Sequence, residues 1–250
     1  MKLTDEMIAE LKAKREAGAL IKTLMKEYGL SKASVYRYLS GNGEGKLQIM
    51  MNARELFGEI DIYLFDQILK NDFTDQSAIL DAGCGGGRNL IYFLRCGSRV
   101  FGVDENPEAV RHVRQIAASL APDLPEENFR VAKVEEMPFP AGRFDLVISS
   151  AVLHFAADER HFDRMLDEMW RVLKSGGLFF ARLASDIGIE NRIEPIEGRR
   201  FRLPDGSERF LVDEEFLFDR TRKLGGVLTE PIKTTNVQNL RCMTTWVVRK

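Results

Sequence analysis

Cysteine is scarce: Cys84, Cys96 and Cys242 are the only three in 250 residues, an odd number at wide spacing and without a CxxC pair. That argues against a disulfide framework and against a zinc knuckle, and no metal is expected. Proline is sparse as well, with 8 residues, which fits an ordered globular chain rather than a low-complexity one. No uncharged apolar run is long enough to span a bilayer, and the opening MKLTDEMIAELKAK has no apolar signal core, so a cytoplasmic protein is expected. The formal net charge of −2 is too small for a global nucleic-acid signature. Charge is uneven all the same: residues 1–46 carry nine Lys/Arg against six Asp/Glu, a local net of +3.

What is present is an apolar fraction of 44%, enough for one α/β domain with a small appendage. The pattern opens with three short helices. Thr4 or Asp5 caps a first, carrying Met7, Ile8 and Leu11. Leu20, Ile21, Leu24 and Met25 line the inner face of a second, which stops at Gly29. Ser31 caps a third, KASVYRYL, with Val35 and Leu39 inward. SGNGEGK (40–46) reads as a linker. The expected division is a helical module over 1–45 and a larger domain over 46–250.

Residues 47–73 read as an amphipathic helical stretch. After it strands and helices alternate: SAILDAG, a helix over 88–96, SRVFGVD, a helix over 107–120, FRVAKV, FDLVISS, a helix over 159–173, and GGLFFARL. This rhythm predicts a mainly parallel sheet covered on both faces. Residues 186–212 read as irregular and charged, followed by a helix near 213–224 and a closing strand, MTTWVVRK.

The sharpest motif is ILDAGCGGGRNL, an apolar strand running into Asp81-x-Gly83-x-Gly85-x-Gly87 and then a helix. Glycines there let the chain turn sharply and let a ligand lie against bare backbone. A dinucleotide fingerprint would want a third glycine where Arg88 stands, which counts against a nicotinamide oxidoreductase. An acid at the strand end suits a cationic ligand instead. Asp104 ends the next strand in VFGVDENP, where a carboxylate can accept both hydroxyls of a ribose. Ser149, Ser150 and His154 follow the fourth strand. His154 is a candidate general base or a structural histidine starting a helix, whereas His112 and His161 read as helix-surface residues.

DAGCGGG, GVDENP, VEEMPFPAGRFDLVISSAVLHF and RVLKSGGLFF resemble, in order and spacing over roughly 50–183, the successive motifs of class I S-adenosylmethionine-dependent methyltransferases. GCGGGRNLIYFL is also loosely similar to the tellurite-resistance subgroup. The resemblance implies a doubly wound, seven-stranded Rossmann-like sheet in order 3-2-1-4-5-7-6 with the last strand antiparallel. It implies S-adenosyl-L-methionine as cofactor and methyl transfer as the activity, to an acceptor expected to be a small molecule.

Carried over by position, Gly83 and Gly85 abut the methionine and ribose portions, Asp81 and Gly87 belong to the same cofactor-binding turn, and Arg88 either approaches the methionine carboxylate or faces solvent on its helix. Asp104 holds the ribose with Glu105 beside it. Val134 and Glu135 contact the adenine, and Ser149 completes the set. Lys133 departs from the family, many members having Asp there. Tyr63, Ser150 and Arg182 are the candidates for touching the acceptor. Phe57, Tyr63 and Phe65 either roof the site or pack as core. Arg192, Arg199, Arg200, Arg202 and Arg209 form either an anion-holding lid or a solvated insertion. The stretch after the fourth strand lacks the Asn/Asp-Pro-Pro-aromatic sequence of amino-methylating DNA enzymes, which argues against base methylation.

Residues 3–41 resemble the helix-turn-helix of resolvase/invertase recombinases. In such a module the third helix enters the major groove, which points to Lys32, Ser34, Tyr36 and Arg37 as DNA contacts and to a homodimer. Two alternatives stay open: a trihelical cap on the enzyme, and a regulator whose core senses S-adenosylmethionine without turnover.

Overall fold

The computed structural model describes residues 3–16, 19–39 and 53–250. The chain separates into two compact units, 1–50 and 51–250. Among the described residues no helix is long and apolar enough to cross a membrane.

In the first unit, α1 (Asp5–Glu16), α2 (Ile21–Tyr28) and α3 (Lys32–Leu39) share a small core of Leu3, Leu11, Leu24, Tyr28, Leu30 and Val35. Thr4 Oγ1 accepts the Met7 N–H at 3.3 Å and Ser31 Oγ accepts the Ser34 N–H at 3.2 Å, so both expected caps are made. Gly29 ends α2 in the left-handed region at φ 60°. Leu20 departs from the expected pattern: it stands just before α2 and is exposed.

The second unit begins with α4 (Ala53–Phe57) and α5 (Ile62–Lys70). It continues with β1 (Ala78–Ala82), α6 (Ile91–Arg95), β2 (Arg99–Asp104), α7 (Pro107–Leu120), β3 (Phe129–Val131), β4 (Phe144–Ser150), α8 (Glu159–Val172) and β5 (Leu173–Ser185). After an excursion through β6 (Glu194–Glu197), β7 (Arg200–Arg202) and β8 (Glu208–Phe210), the chain returns as α9 (Glu214–Lys223), β9 (Val227–Leu228), β10 (Lys233–Val237) and β11 (Arg241–Arg249).

The main sheet runs β3-β2-β1-β4-β5-β11-β10. β1 to β5 are parallel, and β11 is antiparallel to β5 and β10. This is the doubly wound methyltransferase-type order, with β10 and β11 in the sixth and seventh places. The sixth place is interrupted: β9 pairs with one end of β11, and Pro231, which has no N–H to donate, lies between it and β10.

Both faces of the sheet are covered, which is why β1 is buried at every position. On one face Phe162, Met165 and Met169 of α8 and Phe216 and Leu217 of α9 pack against Phe179 and Trp246. On the other, Leu64 and Ile68 of α5, Phe93 of α6 and Val110 and Val113 of α7 pack against Ile79, Val100 and Ile148. The layers leave the carboxyl ends of β1, β2 and β4 open at one edge, where ligands of such sheets bind.

Three expectations are corrected. The helix read over 88–96 is shorter, because residues 88–90 form turns and α6 starts at Ile91. The strand read as FRVAKV pairs only as far as Val131. The stretch 186–212 is not irregular: β6, β7 and β8 form an antiparallel sheet of their own.

Trp246 is fully buried and its Nε1–H donates to Thr221 Oγ1 at 3.0 Å, tying β11 to α9. Replacing Thr221 by Val keeps the side-chain shape but leaves the buried indole N–H without its acceptor, so urea unfolding should show a loss of about 1–3 kcal/mol. An unchanged midpoint would remove this bond from the account of the fold.

Candidate functional site

The chain leaves β1 and folds back at once. Gly83 N–H and Cys84 N–H both donate to Val103 O, at 2.8 and 2.9 Å, and Gly85 N–H donates to Asp104 Oδ2 at 2.8 Å. Asp104 Oδ1 accepts the Asn106 N–H at 2.9 Å, and Asn106 in turn caps α7 by accepting the Glu108 N–H at 3.0 Å. The turn after β1 and the end of β2 are thereby one stitched unit. A Cβ built on Gly85 would have nothing within 4 Å, so this backbone stands bare to open space, at φ +48°. A Cβ on Gly87, at φ +74°, would meet Val113 Cγ2 at 3.0 Å; this glycine lets the turn pack onto α7.

A cavity of about 660 Å³ opens here. Of the residues expected to hold a cofactor, Gly83, Gly85, Arg88, Asp104, Glu105, Val134 and Glu135 line it. Asp81, Gly87 and Ser149 are buried beside it without reaching its wall. Lys133 is also on the wall. Two buried polar atoms in this neighbourhood have no hydrogen-bond partner, Asp81 Oδ1 and Ser149 Oγ. Burial pushes the Asp81 carboxyl up to about 8, with the Arg88 guanidinium pulling it down and the Asp104 carboxylate adding to the rise. Burial also drives the Cys84 thiol well above the ordinary thiol range, so the sulfur at this wall stays protonated.

His161 was expected on a helix surface and is instead part of the cavity wall. It lies in the first turn of α8, accepts the Ala157 N–H on Nδ1 at 3.1 Å and places Nε2 at 3.5 Å from Glu135.

A second cavity, of about 380 Å³, shares Arg88, Ser150, Ala151 and Phe155 with the first. Ala151 adopts φ 62°, a left-handed conformation that is costly for a residue with a Cβ, and its N–H donates to Arg182 O at 2.7 Å. Ser150 Oγ accepts from Arg88 Nη2 at 3.0 Å. Arg182 lines the second cavity, held by Asp61 Oδ2 at 2.7 Å from its Nη1 and lying 5.0 Å over the Tyr63 ring. Tyr63 reaches neither cavity wall; its hydroxyl pairs with Thr235 Oγ1 at 2.6 Å, so it braces Arg182 from behind. Phe57 and Phe65 pack on each other at 4.6 Å, and Phe57 stacks on Tyr92, which makes them packing residues here.

His154 lines the second cavity but is almost wholly buried. Its Nδ1 accepts the Ala184 N–H at 3.1 Å, so the lone pair a general base would use is already engaged and the proton sits on Nε2. Burial, reinforced by Arg209 and Arg241, pushes its pKa down to about 4 and keeps the ring neutral.

Asp61 had no signal beyond a helical start. It caps α5 by accepting the Tyr63 N–H at 3.0 Å, holds Arg182, lies 3.7 Å from Arg88 and donates its own N–H to Asn89 Oδ1 at 3.1 Å. Among the insertion arginines, Arg209 lines the second cavity. Arg199 pairs with Asp213, and Arg200 and Arg202 pair with Glu208. In the first unit Ser34 Oγ lies 3.0 Å from Ser31 Oγ. The side chains of Lys32, Tyr36 and Arg37 lie outside the described residues.

The buried Asp81 gives a stability test. A carboxyl raised from about 3.9 in the unfolded chain to about 8 in the folded one binds more protons when folded. Stability is therefore lost as pH rises between those values. Asp81→Asn, which cannot titrate, should gain on the wild type by about 1–3 kcal/mol in urea unfolding between about pH 5 and about pH 8. A difference that does not move with pH would show that Asp81 is ionised in the ligand-free protein.

Residues 80–181 match the methyltransferase domain family. An uncharacterized methyltransferase of Synechocystis is 32% identical over 101 residues, which is 40% of this chain and 44% of that one. A probable S-adenosylmethionine-dependent methyltransferase of Mycolicibacterium smegmatis is 27% identical over 134 residues, 52% of this chain and 48% of the other. The chain thus spans about half the length of the curated relatives it matches. In shape it resembles the crystal structure of a Burkholderia thailandensis 1,6-didemethyltoxoflavin-N1-methyltransferase with bound 1,6-didemethyltoxoflavin and S-adenosylhomocysteine. The TM-score is 0.55 with 20% identity, covering 75% of each chain. The matched stretch carries the glycine turn, Asp104 and the wall of the first cavity, whereas the second cavity also draws on Asp61 and on residues beyond 181.

Proposed function

We propose that the protein is an S-adenosylmethionine-dependent methyltransferase acting on a small-molecule acceptor. One observation carries this reading. The cavity at the carboxyl ends of β1, β2 and β4 joins bare glycine backbone to a carboxylate already oriented by two N–H groups, and it shares Arg88, Ser150, Ala151 and Phe155 with a second cavity beside it. The names of the relatives and of the bound cofactor product in the structural neighbour support it.

The residues fit the cofactor. Each oxygen of Asp104 accepts one backbone N–H and keeps a lone pair for a ribose hydroxyl. Val134, almost buried, supplies an apolar wall for the adenine, with Glu135 and His161 at its edge. Asp81 lies behind the cavity wall with one oxygen unpartnered, and the charge of a cationic ligand in the cavity would draw its carboxyl toward the ionised form. The bound cofactor supplies an electrophilic methyl group on a sulfonium. Around that methyl the chain aligns and excludes water. Ala151 and Phe155 stand at the junction of the two cavities, Ser150 and Arg88 frame it, and the Cys84 thiol on the first cavity's wall stays protonated and so is no nucleophile. His154 keeps its acceptor nitrogen engaged and offers Nε2–H as a donor, so an acceptor that must lose a proton loses it to solvent or arrives ionised.

For the first unit we propose DNA binding through α3, supported by a separate three-helix core with a left-handed turn at Gly29 before the capped third helix. Full-length protein that retards no duplex in a gel at low salt would remove that proposal.

Calorimetric titration tests the main reading. S-adenosylmethionine and S-adenosylhomocysteine should bind and NADH should not. Asp104→Ala should weaken cofactor binding by about 1.5–3 kcal/mol, the loss of a charged paired acceptor. Equal affinity in the variant would take Asp104 out of the site, and tight NADH binding would replace the reading altogether.

A further inference from the structure

The second cavity is unbalanced in charge. Four guanidinium groups line it, those of Arg88, Arg182, Arg209 and Arg241, against two carboxylates, Asp61 and Asp205. Asp61 is shared by Arg182 and Arg88, at 2.7 and 3.7 Å. Asp205 lies 3.8 Å from Arg241, and its Oδ1 is already used by the N–H and hydroxyl of Ser207 at 2.9 and 2.6 Å. Arg209 makes no ion pair within 4 Å among the described residues, although its charge reaches the Asp205 carboxylate and helps to lower it. Its guanidinium lies 4.8 Å over the Phe155 ring, and its Nη1 donates to Glu208 O at 2.7 Å.

Two further observations point the same way. Arg182 Nε is buried at this wall without an acceptor, a donor left over after Asp61 has taken Nη1. Phe155 is 61% exposed although it is a large ring on the wall of both cavities. An exposed ring beneath a guanidinium is a stacking platform for a flat apolar body with a negative group beside it. Leu203, Val237 and Met243 add apolar surface to the same wall. Burial is what mainly depresses His154, and the nearby charges of Arg209 and Arg241 add to it.

Resting on the methyltransferase reading, we infer that the methyl acceptor is a small anion, an apolar or aromatic body bearing a carboxylate or a phosphate that Arg209 and Arg241 hold. Its reacting atom lies at the Ser150–Ala151 junction with the cofactor cavity. Arg209 and Arg241 line the second cavity alone, so they act on acceptor binding and not on the cofactor.

The test uses the full-length protein saturated with S-adenosylhomocysteine, titrated by calorimetry with 4-hydroxybenzoate, phenyl phosphate and the neutral 4-hydroxybenzamide. At least one anion should bind about tenfold or more tightly than the amide, and Arg209→Gln and Arg241→Gln should each abolish most of that preference. The tighter anion identifies carboxylate or phosphate as the recognised group. S-adenosylhomocysteine affinity should stay within about twofold of wild type in both variants, which shows that they fold. Protein that binds S-adenosylhomocysteine but holds neither anion better than the amide at about 10 mM overturns the inference and leaves methyl transfer standing. Protein that binds no S-adenosylhomocysteine overturns both.

Discussion

The carbonyl of Val103 accepts two N–H groups from the turn after β1, and the next residue, Asp104, accepts a third through its carboxylate. Everything about the candidate site depends on this closure. Without it the glycine turn would have no fixed position relative to the end of β2, and a carboxylate free to rotate would lose the orientation that makes it a paired acceptor. The closure also explains the choice of residues. Gly85 leaves its backbone bare toward the cavity, and Gly87 is small because Val113 of α7 occupies the space a side chain would need. Unsatisfied N–H groups at such a turn would cost more than the conformational freedom the glycines give up.

A second tie brings the acceptor side to the same edge of the sheet. Asp61 joins three elements through one buried side chain and its own N–H: the start of α5, the turn before α6 through Asn89 and Arg88, and β5 through Arg182. A carboxylate removed from water is unfavourable unless donors surround it. Here they do, and the position of Arg182 follows from that requirement. Tyr63, two residues on, is consequently a brace and not a contact. The left-handed Ala151 completes this side, its N–H pointing back to Arg182 O where a relaxed backbone would lose that bond.

The sequence made the cofactor half legible because its signals are local. A buried strand, a run of glycines and an acid at the end of the next strand sit within a few residues of their neighbours in space. The acceptor half is built from distant pieces. Arg209 and Arg241 come together only because β11 returns antiparallel beside β5, and nothing in either neighbourhood announces it. The sheet of β6, β7 and β8 was hidden for another reason: strands of three or four charged residues are too short for alternation to register. Its turns did leave a trace, Gly198-Arg199 and Pro204-Asp205-Gly206 being hairpin chemistry. His161 was misplaced because its stripe, continued by the buried Met165 and Met169, is the inward face of α8, and in the first turn that face meets the cavity.

The division of charge between the cavities bears on rate as well as recognition. The first cavity carries Asp104, Glu105 and Glu135 against Arg88 and Lys133 on its wall, and the second carries the surplus guanidinium groups. When a cationic sulfonium meets an anionic acceptor, charge is neutralised along the transfer axis. Groups that hold the anion equally before and during transfer improve affinity without lowering the barrier. Guanidinium groups aimed at the reacting atom itself would do worse, since they would stabilise the charge that has to disappear. Arg209 and Arg241 avoid that by lining the second cavity only, and the junction is left to Ser150, Ala151 and Phe155, with Arg88 restrained by Ser150. Arg209 and Arg241 stand where a spectator group of the acceptor would lie, away from the junction where charge is consumed. On this arrangement, loss of either distal arginine raises KM and leaves kcat nearly unchanged, whereas widening the junction at Ala151 lowers kcat.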